Sequence, residues 1–217
     1  MMNFNDKGQR AMVLVLQAVL FIGLGVFAAV LVQQRHLADP KVRLDIAHQA
    51  LLDGNDRTAF ALFSGLADAG NARAQYWLGD MYERGYGVKK DMKKAIDWLK
   101  KAAVQGLATA QARLGELYLD GQQAPQDFTA ARSWLEKAAN QHQASAERLL
   151  GDMARNGLGM PRDPVRAYQL YEQAILDGDE YAVHLRDRVL EKMSPEQLAQ
   201  AQAATRPSTT DSAPASR

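Results

Sequence analysis

The chain has 217 residues, 47% of them hydrophobic and 24% charged, with 26 Lys and Arg against 25 Asp and Glu. A net charge of +1 with no Lys/Arg block leaves no electrostatic footprint for nucleic acid. With no cysteine anywhere, disulfides, thiolate metal sites, a cysteine nucleophile and cysteine lipidation are all excluded.

In chain order, residues 1–10 form a short flank with Lys7 and Arg10, read as a cytoplasmic amino terminus. Residues 11–32 carry no charge and one strongly polar side chain, Gln17. As a helix this run would be roughly 33 Å long, against about 30 Å of hydrocarbon in a bilayer. A signal peptide has a hydrophobic stretch of roughly 7 to 15 residues, and the one passable cleavage site, Val26-Phe27-Ala28, lies inside the run. The expectation is an uncleaved, single-pass anchor in a bacterial inner membrane, with the body of the protein in the periplasm. Ala18, Ile22, Gly25 and Ala29 recur at helical spacing and, with Gln17, form the face on which another membrane helix would pack. Residues 33–40 read as a linker.

From residue 41 to residue 204 the chain is soluble in character and repeats itself. Ala72 to Gly106, Ala108 to His142 and Ala144 to Gly178 superimpose at a spacing of 36 residues without a gap. A period of that size is the mark of stacked helix pairs, none of which can bury its apolar face alone. In the first full copy Ala74, Leu78, Met81 and Tyr82 predict a helix over about Ala72 to Arg84, closed by Gly85. Asp91 then caps a second helix carrying Ala95, Trp98, Leu99, Ala102 and Ala103 and stopped at Gly106. The third copy adds Pro164 directly after its cap, Asp163. The predicted fold is all-α, an α/α solenoid of antiparallel helix pairs preceded by one transmembrane helix.

The pattern Ala72-x-Ala74-Gln75-Tyr76-x-Leu78-Gly79-x-Met81-Tyr82, Gly85-x-Gly87-Val88-x-x-Asp91, Ala95-x-x-Trp98-x-x-Lys101-Ala102-Ala103-x-x-Gly106 resembles the Sel1-like repeat, a relative of the tetratricopeptide repeat. The copies fall at 71–106, 107–142 and 143–178. Copy two departs from the pattern at Gln123 and His142, and copy three at Ala154 and Leu170, where looser packing is expected. Residues 41–70 read as a divergent first pair whose first helix runs from about Val42 to Asp53. Residues 180–204 read as capping helices, the last one opened by a Ser194-Pro195-Glu196-Gln197 capping box. The Ser, Thr, Pro and Ala tail, 205–217, is expected to be disordered.

Signs of catalysis are absent from the sequence. His36, His48, His142 and His184 show no metal spacing with one another or with a carboxylate, so no metal and no cofactor is expected. Gly85-Tyr86-Gly87 joins two helices and follows no strand, which removes a phosphate-loop reading. Asp91, Asp127 and Asp163 are accounted for as helix caps.

Beside the apolar face of each first helix runs a stripe that does not repeat: Arg73, Trp77, Asp80 and Arg84, then Thr109, Arg113, Glu116 and Asp120, then Ser145, Leu149, Asp152 and Asn156. In tetratricopeptide-like folds first helices line the concave groove, so the resemblance implies that this stripe faces a protein partner, with Trp77 as its anchor. It also implies a non-enzymatic adaptor that assembles or stabilises a membrane or envelope complex, with other proteins as partners, no nucleic acid and no small-molecule substrate. Two alternatives stand beside it. One is an accessory subunit held mainly through the amino-terminal helix; the other is an envelope enzyme of cell-wall chemistry, a reading the missing cysteines and nucleophile–base set oppose.

Overall fold

The computed structural model describes residues 39–122 and 124–205, and the chain divides into two compact units, 1–62 and 63–217. In the first unit, helix α1 (Pro40–Leu52) starts where Asp39 accepts a hydrogen bond from Lys41 N–H at 2.8 Å and Pro40 takes a first-turn position needing no amide partner. It begins two residues ahead of the expected Val42, because this cap and proline fix the start. Leu44, Ala47 and Ala50 are its buried residues. Helix α2 (Asp56–Asp68) begins in this unit, and its second half, from Phe63, belongs to the next.

The second unit continues with α3 (Ala72–Arg84), α4 (Met92–Val104), α5 (Ala108–Asp120), α6 (Phe128–Ala139), α7 (Ala144–Asn156), α8 (Pro164–Leu176), α9 (Tyr181–Leu190) and α10 (Pro195–Thr205). The starts of α3, α5 and α7 are 36 residues apart, as are those of α4, α6 and α8. Each helix packs chiefly on its chain neighbour, giving an all-α solenoid of helix pairs, with α10 turning back onto α8. No strand occurs among the described residues.

One loop chemistry is used three times. Gly85, Gly121 and Gly157 close the first helices with φ of 82°, 72° and 74°, a left-handed conformation that costs a side chain little only when it is absent. The chain then returns through a backbone bond from Asp91 N–H to the Tyr82 carbonyl at 2.9 Å. Asp127 to Tyr118 at 3.0 Å and Asp163 to Ala154 at 2.9 Å repeat it. Asp91 next accepts from Lys94 N–H at 3.1 Å, Asp127 from Ala130 N–H at 2.9 Å, and Asp163 from Arg166 N–H at 2.9 Å. At the last helix Ser194 N–H donates to Gln197 Oε1 and Gln197 N–H donates to Ser194 Oγ, closing the capping box.

Mid-helix glycines set the distance within each pair. A Cβ on Gly79 would lie 2.9 Å from Leu99 Cγ, one on Gly115 2.5 Å from Leu135 Cγ, and one on Gly151 2.6 Å from the Tyr171 ring. Their absence lets Leu99, Leu135 and Tyr171 seat fully buried against the facing backbone. Between pairs, Leu99, Ala102 and Ala103 of α4 meet Ala110, Leu114 and Leu117 of α5. Leu135 and Ala138 of α6 meet Leu150 and Met153 of α7 in the same way. The looser packing expected at Ala154 is not found, and Leu170 is partly buried against the core. Ala154 is fully buried, and Tyr171, where the other copies have leucine, fills the space and donates its hydroxyl to Asp152 at 2.8 Å.

The inner-membrane, periplasm-facing localisation is corrected. No helix among the described residues is long and apolar enough to cross a membrane. The longest have 13 residues, about 20 Å at 1.5 Å per residue, well short of a bilayer core. The run that carried the expectation, 11–32, lies outside the described residues. So do its packing positions Gln17, Ala18, Ile22, Gly25 and Ala29, the linker before residue 39, and the tail beyond residue 205.

Candidate functional site

The stripe on the first helices resolves into residues that hold the stack and residues that face solvent. Trp77 is half-buried and stacks on Phe63, ring centroids 6.1 Å apart and 21° from parallel, with Tyr76 edge-on at 5.5 Å. Arg73 is exposed, and Asp80 pairs with Arg84 at 2.8 Å one turn along α3. Arg113 bridges repeats, donating both to Glu116 on its own helix and to Glu83 on α3, its Nε lying 3.2 Å from Glu83 Oε2. Glu83 is 7% exposed, so this pair is a partly buried tie between helices and not a free surface charge. Asp152 is held by Tyr171 and by Arg155 at 3.0 Å; burial beside that carboxylate pushes the Tyr171 hydroxyl far up and keeps it a donor.

Glu116 and Asp120 remain exposed, and Leu149 is half-buried at the edge of the core. Two adjoining hollows are built on these residues. One, of about 170 Å³, is lined by Tyr76, Thr109, Arg113, Glu116, Ser145 and Leu149, with Arg148 beside them. The other, of about 470 Å³, shares Arg113, Glu116 and Leu149 and extends to Asp120. Side chains from three successive first helices therefore converge on these two hollows. Tyr76 and Arg148 lie outside the stripe picked from the sequence; each sits one position before a stripe residue, and the 100° step of the helix carries it round to the hollow. Asn156, the last stripe residue, lies apart in a larger cleft of about 990 Å³ among Arg155, Arg162, Arg188 and Lys192.

Between repeats runs a second, polar seam. Gln75 Nε2 donates to the Ala67 carbonyl at 3.1 Å and Gln105 Nε2 donates to Gln75 Oε1 at 2.7 Å. The next junction copies this, with Gln111 to Ala103 at 3.0 Å and Gln141 to Gln111 at 2.8 Å. At the third, the equivalent residues are Glu147 and Asp177. Glu147 is 2% exposed and its Oε2 has no hydrogen-bond partner. Burial, then a side-chain hydrogen bond to Asp177 and that carboxylate's charge, push its carboxyl up to about 7. His142 Nδ1 lies 3.0 Å from Asp177 Oδ2, and one ligand atom from each of His142, Glu147 and Asp177 falls within 4.8 Å of the others. Sequence spacing hid this cluster, since His142 and Asp177 are 35 positions apart; the signal was that all three depart from the repeat.

Antiparallel helix pairs with repeated junctions define the class of α/α-solenoid repeat proteins. Within it, the Sel1 repeat model matches residues 72–107, 108–142 and 144–179, and this region consists of three Sel1 repeats. The structure is similar to that of a protective antigen present in uropathogenic Escherichia coli strains and displaying an SLR fold. Their TM-score is 0.71 at 31% identity, over 78% of this chain and 37% of the antigen. A Sel1 repeat protein from Oxalobacter formigenes matches at a TM-score of 0.66 and 27% identity, over 77% of this chain and 74% of that one. A sel1-like repeat-containing protein of Acanthamoeba polyphaga mimivirus is 51% identical over 39 residues, 18% of this chain and 7% of that protein. The chain thus spans well under two thirds of the bacterial antigen and of the viral protein. Sel1 repeats generally mediate protein–protein interaction, and the fold is typically a non-catalytic interaction scaffold.

Proposed function

We propose that this protein is a non-enzymatic adaptor that assembles or stabilises a protein complex, and that it holds its partner on the strip formed by Thr109, Arg113, Glu116, Asp120, Ser145 and Leu149. The observation that supports this most is the convergence of those side chains, from successive first helices, on two adjoining hollows. The strip is mixed in character: a half-buried leucine and Tyr76 supply apolar area, while Asp120 and Glu116, the latter paired with Arg113, supply exposed negative charge. Binding hot spots combine such an apolar anchor with a charged rim. Trp77, stacked on Phe63, and Arg113, tied to Glu83, shape the strip more than they reach out from it.

The test is affinity isolation from the source cell with the wild-type chain and with Glu116→Lys/Asp120→Lys. Both positions are exposed, but Glu116 pairs with Arg113, so circular dichroism first checks that the variant keeps its fold. A protein recovered in stoichiometric amount by the wild type and lost by the double variant supports the reading. Equal recovery by both moves the binding surface elsewhere.

A further inference from the structure

We propose that His142, Glu147 and Asp177 form a binding site for one divalent transition-metal cation of the zinc type, clamped across the junction of the second and third repeats. Three departures from the 36-residue register meet there. Position 142 holds histidine where the preceding copies have Gly70 and Gly106. Position 147 holds glutamate after Gln75 and Gln111, and position 177 holds aspartate after Gln105 and Gln141. Any one of them alone would be ordinary sequence drift. Together they replace a self-satisfied amide ladder by two carboxyl groups and an imidazole.

The replacement removes donors from a place that needs them. At the other two junctions an amide N–H of Gln75 or Gln111 reaches the carbonyl of the preceding repeat, and a second glutamine donates to its oxygen. Glu147 and Asp177 in their charged forms can only accept. The result is a Glu147 side chain on a residue 2% exposed that shares a hydrogen bond with Asp177 but leaves its Oε2 without a partner, with one carboxylate oxygen in the cluster. A buried acceptor in that condition is destabilising, and a cation supplies the missing electrophile.

Geometry and chemistry select the ion. Zinc takes nitrogen and oxygen ligands at about 2.0–2.2 Å in a tetrahedron, which sets ligand atoms roughly 3.4 Å apart. His142 Nδ1 and Asp177 Oδ2 stand 3.0 Å apart and all three ligand atoms lie within 4.8 Å, so side-chain rotation closes the set. One imidazole with two carboxylates favours zinc or its transition-metal neighbours over magnesium and calcium, which take oxygen alone. Gln173 Nε2 donates to Asp177 Oδ2 at 3.1 Å and orients that carboxylate from behind. His142 has a side chain 73% exposed, so the ion enters from solvent and a water completes the fourth position. The ligands come from the loop after α6, the first turn of α7 and the C-cap of α8, so the ion fixes the third repeat to the second. Ser145 and Arg148, beside Glu147 on α7, line the proposed partner strip; that link, unlike the site itself, rests on the adaptor reading.

The test is isothermal titration of the full, chelator-treated chain with Zn²⁺, with Mg²⁺ as the comparison ion. The matched variant is His142→Gly/Glu147→Gln/Asp177→Gln, which reproduces the chemistry of the preceding junctions and so retains the fold, checked by circular dichroism. The expected result is one Zn²⁺ per wild-type chain, no matching Mg²⁺ isotherm, and a loss of affinity of about 100-fold or more in the variant. Absence of Zn²⁺ binding by the wild type, or an unchanged isotherm in the variant, overturns the proposal. Neither result depends on any partner being known.

Discussion

At residue scale, the clearest consequences belong to Glu147 and His142. With metal chelated, Glu147 holds its proton up to about pH 7 in the folded chain, against an ordinary value of 4.5. Between those values the native state binds a proton that the unfolded chain has released, so stability falls as pH rises. We expect urea stability of the chelated protein to drop by on the order of 1–3 kcal/mol from pH 4.5 to 7.5, and Glu147→Gln to flatten that fall. Asp177 is shifted down by its bond from Gln173, so its effect lies on the acid side and does not mask this limb. His142 has φ of 58°, where the other copies have glycine. Holding a histidine there costs about 1–2 kcal/mol, a strain the repeat avoids elsewhere.

At the scale of elements, the stack depends on close approach within pairs more than on side-chain bulk. Gly115→Ala places a methyl group against Leu135 and the Ala131 carbonyl, and overpacking of this kind costs about 1–3 kcal/mol. Leu135→Ala, fully buried between α5, α6 and α7, should cost about 2–5 kcal/mol. Asp163→Ala removes a helix cap worth about 1 kcal/mol, less than either core change, because Pro164 still sets the start of α8. Chemical denaturation of the three variants checks the order. The caps, the left-handed glycines and the helix periods were all legible in the sequence, since each is a local signal repeated at 36 residues. The replacement of bulk by Tyr171 was not, because it rests on which side chain faces Gly151 across a pair. Arg113 was legible as a stripe residue, yet its tie to Glu83 depends on the offset between repeats, which no single helix reveals.

At the scale of the whole molecule, the Sel1 stack is a scaffold whose repeating positions are consumed by its own cohesion. On the adaptor reading, recognition falls to the part that does not repeat. Of the stripe read from the sequence, Arg113, Glu116, Asp120 and Leu149 meet in the two adjoining hollows, whereas Asp152 is taken up by Tyr171 and Arg155, and Asn156 lies in a separate basic cleft. The most direct measurement is site-specific photo-crosslinking in the source cell, with the reactive side chain at position 116 in one chain and at position 176, an exposed leucine on the second helix α8, in another. The adaptor reading predicts one discrete crosslinked partner from position 116 and none of it from position 176. The same adduct from both positions, or none from 116, would contradict it.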